Sequence, residues 1–366
     1  MKLIFFLIAF CLITIRFYFS WTGKDRERRG LTESNMVIKS DNFYEEINYL
    51  GKFQLSDDES SFKSISPGGY FKFRLNEIKV KAQSDVRGEI EYKIYDGKND
   101  LPLNEQGKLI VSKAIHEMIY WGYDGEGRME RVYQKGGYKA LLSEIDSIKF
   151  DQIKMLYLNR LFSIDSLPSE TKELVVRKVK TLGSDMDRSQ FLNKITPSQF
   201  KDPSINAACF DIIKGMGSDI DKMNVLHHII DQDSLSTENI AIILNLGNNM
   251  GSDMDKSNLY RELIDKGLIK DSLFDSLAIF VSHMGSDMDK VNLYNKMLGI
   301  NSITENQWII LINQSASLGS DMDKANTLSD FAKKMPRTDP IKAAYVKAAK
   351  TIGNDNDYGR VMRSLE

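Results

Sequence analysis

A chain of 366 residues has room for two domains or one long repeat array, and its formal charge of −2 excludes the strongly basic class of nucleic-acid-binding proteins. Hydrophobic residues form 42% of the chain and charged residues 27%, which is the balance of an ordinary folded protein. We therefore expect a globular protein with no nucleic-acid partner.

The amino-terminal segment has the pattern of a targeting sequence. Residues 3–15 are an unbroken apolar run that follows a lysine, as in the apolar region of a signal peptide. The run is short for a membrane span, although residues 17–21 could extend it into an anchor. We predict a signal peptide or a signal anchor over 1–21, and hence an exported protein that is periplasmic, membrane-anchored or extracellular.

A polar, irregular stretch over 22–45 is predicted to be a linker, and short strand-like runs follow it. These runs alternate apolar, β-branched or aromatic residues with polar ones, which favours strands with one buried face. Turn residues separate them, since Pro67-Gly68 must turn and Asp96-Gly97 suggests a tight hairpin. The predicted strands of a small antiparallel sheet are 46–55, 62–65, 70–75, 78–83 and 89–95.

The spacing of apolar residues becomes helical after these strands. Residues 107–121, 127–134 and 137–146 carry apolar residues three and four apart, as on one face of a helix. Glycines separate or interrupt these segments. We therefore predict a β-rich module with a helical cap over 46–147.

A six-residue turn recurs through the rest of the chain at a constant interval of 34 residues. Its commonest form is Gly-Ser-Asp-Met-Asp-Lys, and a fainter copy precedes the others at Asp151 and Lys154. A fixed period of this length indicates an array of similar units. The glycines that begin the six clear turns are Gly183, Gly217, Gly251, Gly285, Gly319 and Gly353.

Each turn has residues suited to ending one helix and starting the next. Glycine can take the left-handed conformation that stops a helix, and serine can cap the next helix by accepting a backbone N–H. The second aspartate stands at the capping-box position, and both aspartates lie where the helix dipole favours negative charge. Apolar residues recur at fixed offsets on both sides of each turn. We predict an all-α solenoid of two-helix repeats over 148–366, and an α+β chain overall.

The Ser-Asp-x-Asp-Lys turns resemble a helical repeat of exported bacterial proteins of uncharacterised function. Similar repeats are attached to some BlaR-type membrane peptidases, in which a β-rich module precedes them. Residues 55–74, with their acidic turn and Ser-Pro-Gly-Gly turn, are similar to that module, so the resemblance covers 46–366. It implies no established chemistry, and the chain has no His-Glu-x-x-His stretch for a peptidase.

Two polar positions recur along the repeats and are candidate interaction sites. Stacked repeats would align the first aspartate of each turn along one edge, and such a ladder could attract a basic partner. An asparagine recurs in four repeats although helix interiors disfavour it, which indicates a hydrogen bond between repeats or a peptide-binding ladder. These candidates are Asp185, Asp219, Asp253, Asp287, Asp321, Asn224, Asn258, Asn292 and Asn326.

We assign no catalytic residue, metal ligand or cofactor from the sequence. Asp-x-Asp could suggest calcium, but a cation follows where further ligands are needed, so helix capping is favoured. His227 and His228 are adjacent on a helix and point to different sides. Cys209 lies on an apolar stripe and is predicted to be a small buried residue. The acidic run 57–59 is expected to be a solvated turn, with cation binding as the alternative.

These features favour a non-enzymatic protein-interaction scaffold or sensor domain in the bacterial cell envelope, with an unknown protein or peptide as its partner. One alternative is an enzyme, or a regulator of an envelope peptidase, whose site lies in the 46–147 module. A cleft around His116, Glu117 and Asp124 would be its signature. A second alternative is a calcium-dependent adhesion scaffold.

Overall fold

The computed structural model of the protein describes residues 33–40, 43–120, 122, 124–148, 150–164, 166–232, 235–270 and 272–366. The chain divides into two compact units, Met1–Leu156 and Tyr157–Glu366. The targeting segment predicted over 1–21 lies outside the described residues. Among those residues, no helix is long and apolar enough to cross a membrane.

The first unit contains a six-stranded antiparallel sheet in the order β1-β2-β5-β6-β7-β8 and a separate hairpin of β3 and β4. Part of the predicted linker over 22–45 belongs to this sheet, because β1 pairs along its whole length with β2. Its Met-Val-Ile centre favours a strand although its neighbours are polar. The strands are β1 (Glu33–Ser40), β2 (Phe43–Leu50), β3 (Phe53–Leu55), β4 (Phe62–Ile65), β5 (Tyr70–Leu75), β6 (Ile78–Ser84), β7 (Ile90–Asp96) and β8 (Asn99–Leu101).

Glycines with positive φ set several strand ends. The single strand predicted over 46–55 is two strands, because Gly51 has a φ of 89° and interrupts the run. Gly68 has a φ of 75° in the turn between β4 and β5. Strands β7 and β8 form the hairpin that Asp-Gly predicts, with Asp96 paired to Asn99 across a two-residue loop.

Helix α1 (Glu105–Tyr120) packs its apolar stripe against the sheet. The strands alternate between core and solvent, so Phe71 and Phe73 are buried while Lys72 between them is exposed. The buried side chains of sheet, hairpin and helix form one apolar core. Its members are Ile47, Leu55, Phe62, Ile65, Phe71, Phe73, Val80, Ala82, Ile94, Val111, Ala114, Ile115, Met118 and Ile119.

Helix α2 (Gly125–Glu144) joins two segments that the sequence predicts as separate helices. Gly137 has a φ of 61° and a ψ of −154°, so the helix is kinked there and continues beyond it. A short 3-10 turn, Ile145–Ser147, ends it. The glycine bends the helix here instead of ending it.

The acidic turn 57–59 is not fully solvated, which differs from our expectation. Glu59 has only 14% of its side chain exposed and accepts hydrogen bonds from Arg128 Nε at 3.0 Å and Arg131 Nη2 at 3.3 Å. Arg131 also pairs with Asp124 at 2.8 Å. These ion pairs hold the turn against α2. Local sequence patterns do not predict this contact, because the paired residues are about seventy positions apart.

The second unit is an array of helix pairs in which successive second helices pack against each other. Helix α3 (Asp151–Phe162) contains the division between the two units, which falls after Leu156. The first helices of the repeats are α4 (Ser169–Val179), α7 (Pro203–Gly215), α9 (Thr237–Asn248), α11 (Ser272–Ser282), α13 (Glu305–Ser315) and α15 (Asp339–Ala349). The second helices are α5 (Asp185–Leu192), α8 (Asp219–Ile230), α10 (Asp253–Asp265), α12 (Asp287–Met297), α14 (Asp321–Ala332) and α16 (Asp355–Arg363), and the short α6 (Pro197–Phe200) follows α5.

The apolar faces predicted for these helices are the buried ones. Val175 and Val179, before the first turn, are fully buried. The positions nine and twelve residues after the glycine are buried in five repeats, as at Tyr260 and Leu263, and partly exposed in the last repeat. Neighbouring repeats bury each other's apolar faces, so the predicted α+β class and helical array are confirmed.

Candidate binding surface of the helical repeats

Serine caps five of the six second helices, as predicted. Ser252 Oγ accepts the N–H of Asp255 at 3.2 Å, and the other Ser-Asp-x-Asp turns repeat this bond at 3.2 to 3.3 Å. In the last turn Asn354 Oδ1 takes the same role and accepts from Asn356 and Asp357. The cap satisfies a backbone donor that the first helical turn leaves without an intrahelical partner.

The first aspartate of each turn binds the following turn. Asp253 Oδ2 accepts the N–H of Gly285 at 2.7 Å and the N–H of Ser286 at 2.8 Å. The distances in the five links from Asp185 to Asp321 lie between 2.7 and 3.2 Å. We name this contact the Asp link. Its aspartates, with the turn each one binds, are Asp185 to Gly217, Asp219 to Gly251, Asp253 to Gly285, Asp287 to Gly319 and Asp321 to Gly353.

The Asp link replaces the capping box that the sequence suggests. A capping box would have the second aspartate, such as Asp289, accept the N–H of Ser286. That N–H instead donates to Asp253 of the preceding repeat. The helix is therefore capped partly by its neighbour, which couples the start of one second helix to the next.

The cation of each turn pairs with the other oxygen of the first aspartate. Nitrogen-to-oxygen distances run from 2.8 Å for Arg188 with Asp185 to 3.9 Å for Lys324 with Asp321. Lys290 also donates to the carbonyl of Ser317 at 3.2 Å, just before the next turn. Lys290 therefore contacts both the aspartate of the Asp link and the backbone next to the turn that this aspartate binds.

The electrostatics of the link favour ionised carboxylates. Partial burial alone raises the pKa of these carboxyls, but the two backbone N–H donors and the neighbouring cation outweigh it. The pKa values of Asp185, Asp219, Asp253 and Asp287 therefore lie below the ordinary aspartate value.

The turn glycines do not take the left-handed conformation that we expected. None of the five glycines from Gly217 onward has a φ in that region. A Cβ built on Gly319 would lie 3.2 Å from Asp287 Oδ2, and one on Gly285 would lie 3.3 Å from Asp253 Oδ2. The same distance is 3.3 Å at Gly353, but it is an ordinary contact of 3.5 Å at Gly251 and 3.7 Å at Gly217, so the approach of the carboxylate disfavours a side chain in three of these five turns.

The two predicted polar rows differ in what they contact. The aspartates point into the Asp links, so both carboxylate oxygens already have partners inside the array. The four asparagines are exposed on their helices. Asn326 accepts a hydrogen bond from Arg360 of the next repeat at 2.9 Å, which is one bond between repeats of the kind predicted. The peptide-binding alternative for this row stays a prediction.

The exposed apolar row along the array was missed in the sequence. The residue between the two aspartates is apolar in five turns, and each is 57% to 72% exposed. The signal was visible, because a position beside two aspartates in a capping turn has no structural need for a large apolar side chain. We name these residues the Met row: Met186, Ile220, Met254, Met288 and Met322.

The other candidate residues have structural contacts. His116 Nδ1 lies 2.8 Å from the carbonyl oxygen of Ser112 in its own helix, whereas Asp124 pairs with Arg131. Cys209 is buried as predicted, and burial raises the pKa of its thiol to about 12. In the part of the chain that the structure describes, no group of three or more His, Cys, Asp or Glu side chains could hold a metal ion.

Removing the charge of one Asp link should destabilise the array. In Asp253→Asn the donors of Gly285 and Ser286 lose a charged acceptor, so we expect the free energy of unfolding to fall by about 1–3 kcal/mol. Asp255→Asn is the matched control in the same turn and should cost only about 0.3–1 kcal/mol through the helix dipole. Urea unfolding followed by circular dichroism measures both, and equal losses would contradict the assignment.

The Asp links also predict acid sensitivity. A carboxyl whose pKa is lowered by folding stabilises the folded state above its unfolded pKa of about 3.9, and this contribution is lost as the pH falls through the lower folded pKa. We expect the urea midpoint to fall steeply below about pH 4. Asp253→Asn should show a shallower fall, and a parallel curve would count against the link.

The sequence matches no protein-family model, and a comparison with curated proteins finds no match. The resemblance of the turns to repeats of exported bacterial proteins therefore stays a prediction.

Proposed function

We propose that the chain is a non-enzymatic protein-binding scaffold and that its helical array carries the binding surface. The observation that carries this proposal is the Met row, in which five turns expose a large apolar side chain at the same position. Exposed apolar residues that recur in line mark interaction sites more often than isolated ones do. The proposed setting is the bacterial cell envelope, on the strength of the amino-terminal apolar run.

The four exposed asparagines lie on the same helix face as the Met row. We name them the asparagine row: Asn224, Asn258, Asn292 and Asn326. Met254 and Asn258 are four residues apart on α10, and Met288 and Asn292 are four apart on α12, so the members of each pair are neighbours. Each repeat therefore exposes one apolar contact beside one amide that can donate and accept hydrogen bonds. A surface of this composition suits a polypeptide partner.

The residues that recur in every complete turn are engaged in contacts within the array, which argues against a catalytic role for them. Serine, the first aspartate and the cation are bound within the array, and the turn glycines accommodate the Asp links. The alternative site around His116 and Asp124 uses its side chains in contacts with Ser112 and Arg131. These contacts support a protein-binding function more than a catalytic one.

Site-specific photocrosslinking in cells that express the protein tests the proposal. A photoreactive phenylalanine analogue at Met254 or Met288 should give a discrete adduct of higher mass. The same analogue at Leu174 or Ile279, which are exposed apolar residues on first helices, should not give it. No adduct at the Met row, or the same adducts at all four positions, would contradict the proposed function.

A further inference from the structure

Resting on the proposed function, we infer that the array binds an extended polypeptide segment in a polyproline II conformation, with an apolar residue at every third position and basic residues between. The juxtaposition that carries this inference is the Met row beside the asparagine row and the charged turns. Three properties of this surface indicate the ligand: the spacing of the Met row, the length of the Met row, and the charge of the turns.

Spacing selects the conformation of the segment. The Met row has one member on each second helix, except the last, and these helices pack directly on each other. The axes of packed helices lie about 8–10 Å apart, and we take this distance as the advance of the row per repeat. A polyproline II helix returns to the same face every three residues, after about 9.3 Å. A β-strand returns after about 6.6 Å and would lose register with the row within two repeats.

The ends of the row set the length of the segment. Asn356 takes the place of the apolar residue in the last turn, and Gln152 takes it in the faint copy that precedes the first turn. Five apolar positions enclose four intervals, or about 32–40 Å. A polyproline II segment of about 10–13 residues covers this distance.

The negative charge of the turns favours basic residues in the bound segment. Each complete turn has two aspartates and one Lys or Arg, and the cation pairs with the first aspartate. Each complete turn therefore has a formal net charge of −1, and the second aspartate directly follows the member of the Met row. A segment with Lys or Arg between its apolar residues would complement these charges.

The asparagines supply contacts to the backbone of the segment. A polyproline II chain has no internal hydrogen bonds, so its carbonyl groups and most of its N–H groups face outward. Each exposed asparagine amide, four residues along from a member of the Met row, can donate to or accept from such a group. This contact tolerates different side chains on the segment.

Other occupants fit the surface less well. Ile220 replaces methionine in one turn, so the row requires an apolar shape and not sulfur chemistry. A second copy of the array docked through the same face would oppose two negative rows. An anionic lipid surface meets the same repulsion.

Fluorescence anisotropy with a labelled synthetic peptide tests the inference on the full chain. The probe is the Leu-Lys-Pro triplet repeated to about twelve residues, which favours polyproline II. We expect saturable binding that Met254→Ser combined with Met288→Ser weakens roughly thirtyfold. Leu174→Ser combined with Ile279→Ser, on the first helices, should leave the affinity unchanged, and circular dichroism checks that both variants are folded.

Two control peptides separate the parts of the inference. One has the same composition with its leucines grouped at one end, and the other has glutamate in place of lysine. Both should bind at least about tenfold more weakly than the probe. Equal binding of either control, equal affinity of the two double variants, or absence of binding by the probe would overturn the inference. If crosslinks form at the Met row in cells but the labelled peptide does not bind, the proposed protein-binding function is retained and the inferred class of ligand is rejected.

Discussion

The structure of the array depends on one contact, the acceptance of two backbone N–H groups by the first aspartate of the preceding turn. At Asp253 this single oxygen accepts from Gly285 and Ser286, while the other oxygen pairs with Lys256. Both donors belong to the start of the next second helix, where backbone N–H groups have no partner within the helix. The link therefore caps one repeat with a side chain from its neighbour, and it recurs with the period of 34 residues.

This contact also separates the residues that hold the array from those that can serve a partner. Glycine, serine, the first aspartate and the cation have defined places in the link and its cap. The residue between the aspartates has no such place, yet it is a large exposed apolar side chain in five turns. The array thus presents a regular row on packed helices whose turns are joined by hydrogen bonds, and the spacing of this row is the property that a linear ligand would match.

Much of the fold follows from local patterns in the sequence. Strand alternation, the Asp-Gly hairpin, the helix caps and the buried faces of the repeats are all short-range or periodic signals. The linker that contains β1, the contact of Glu59 with Arg128 and the Asp link itself depend on residues distant in sequence or on the approach of neighbouring repeats. The turn glycines were expected to have a positive φ, but those from Gly217 onward do not, and at Gly285, Gly319 and Gly353 the carboxylate of the Asp link approaches closely instead.

Amide hydrogen exchange at single-residue resolution tests the Asp link most directly. The turn glycines are exposed, so without the link their N–H groups should exchange as fast as those of an open loop. The link predicts slow exchange at Gly251, Gly285 and Gly319, with protection at Gly285 alone reduced in Asp253→Asn. Fast exchange at all three glycines in the unaltered protein, or loss of protection at Gly251 and Gly319 as well, would contradict this account.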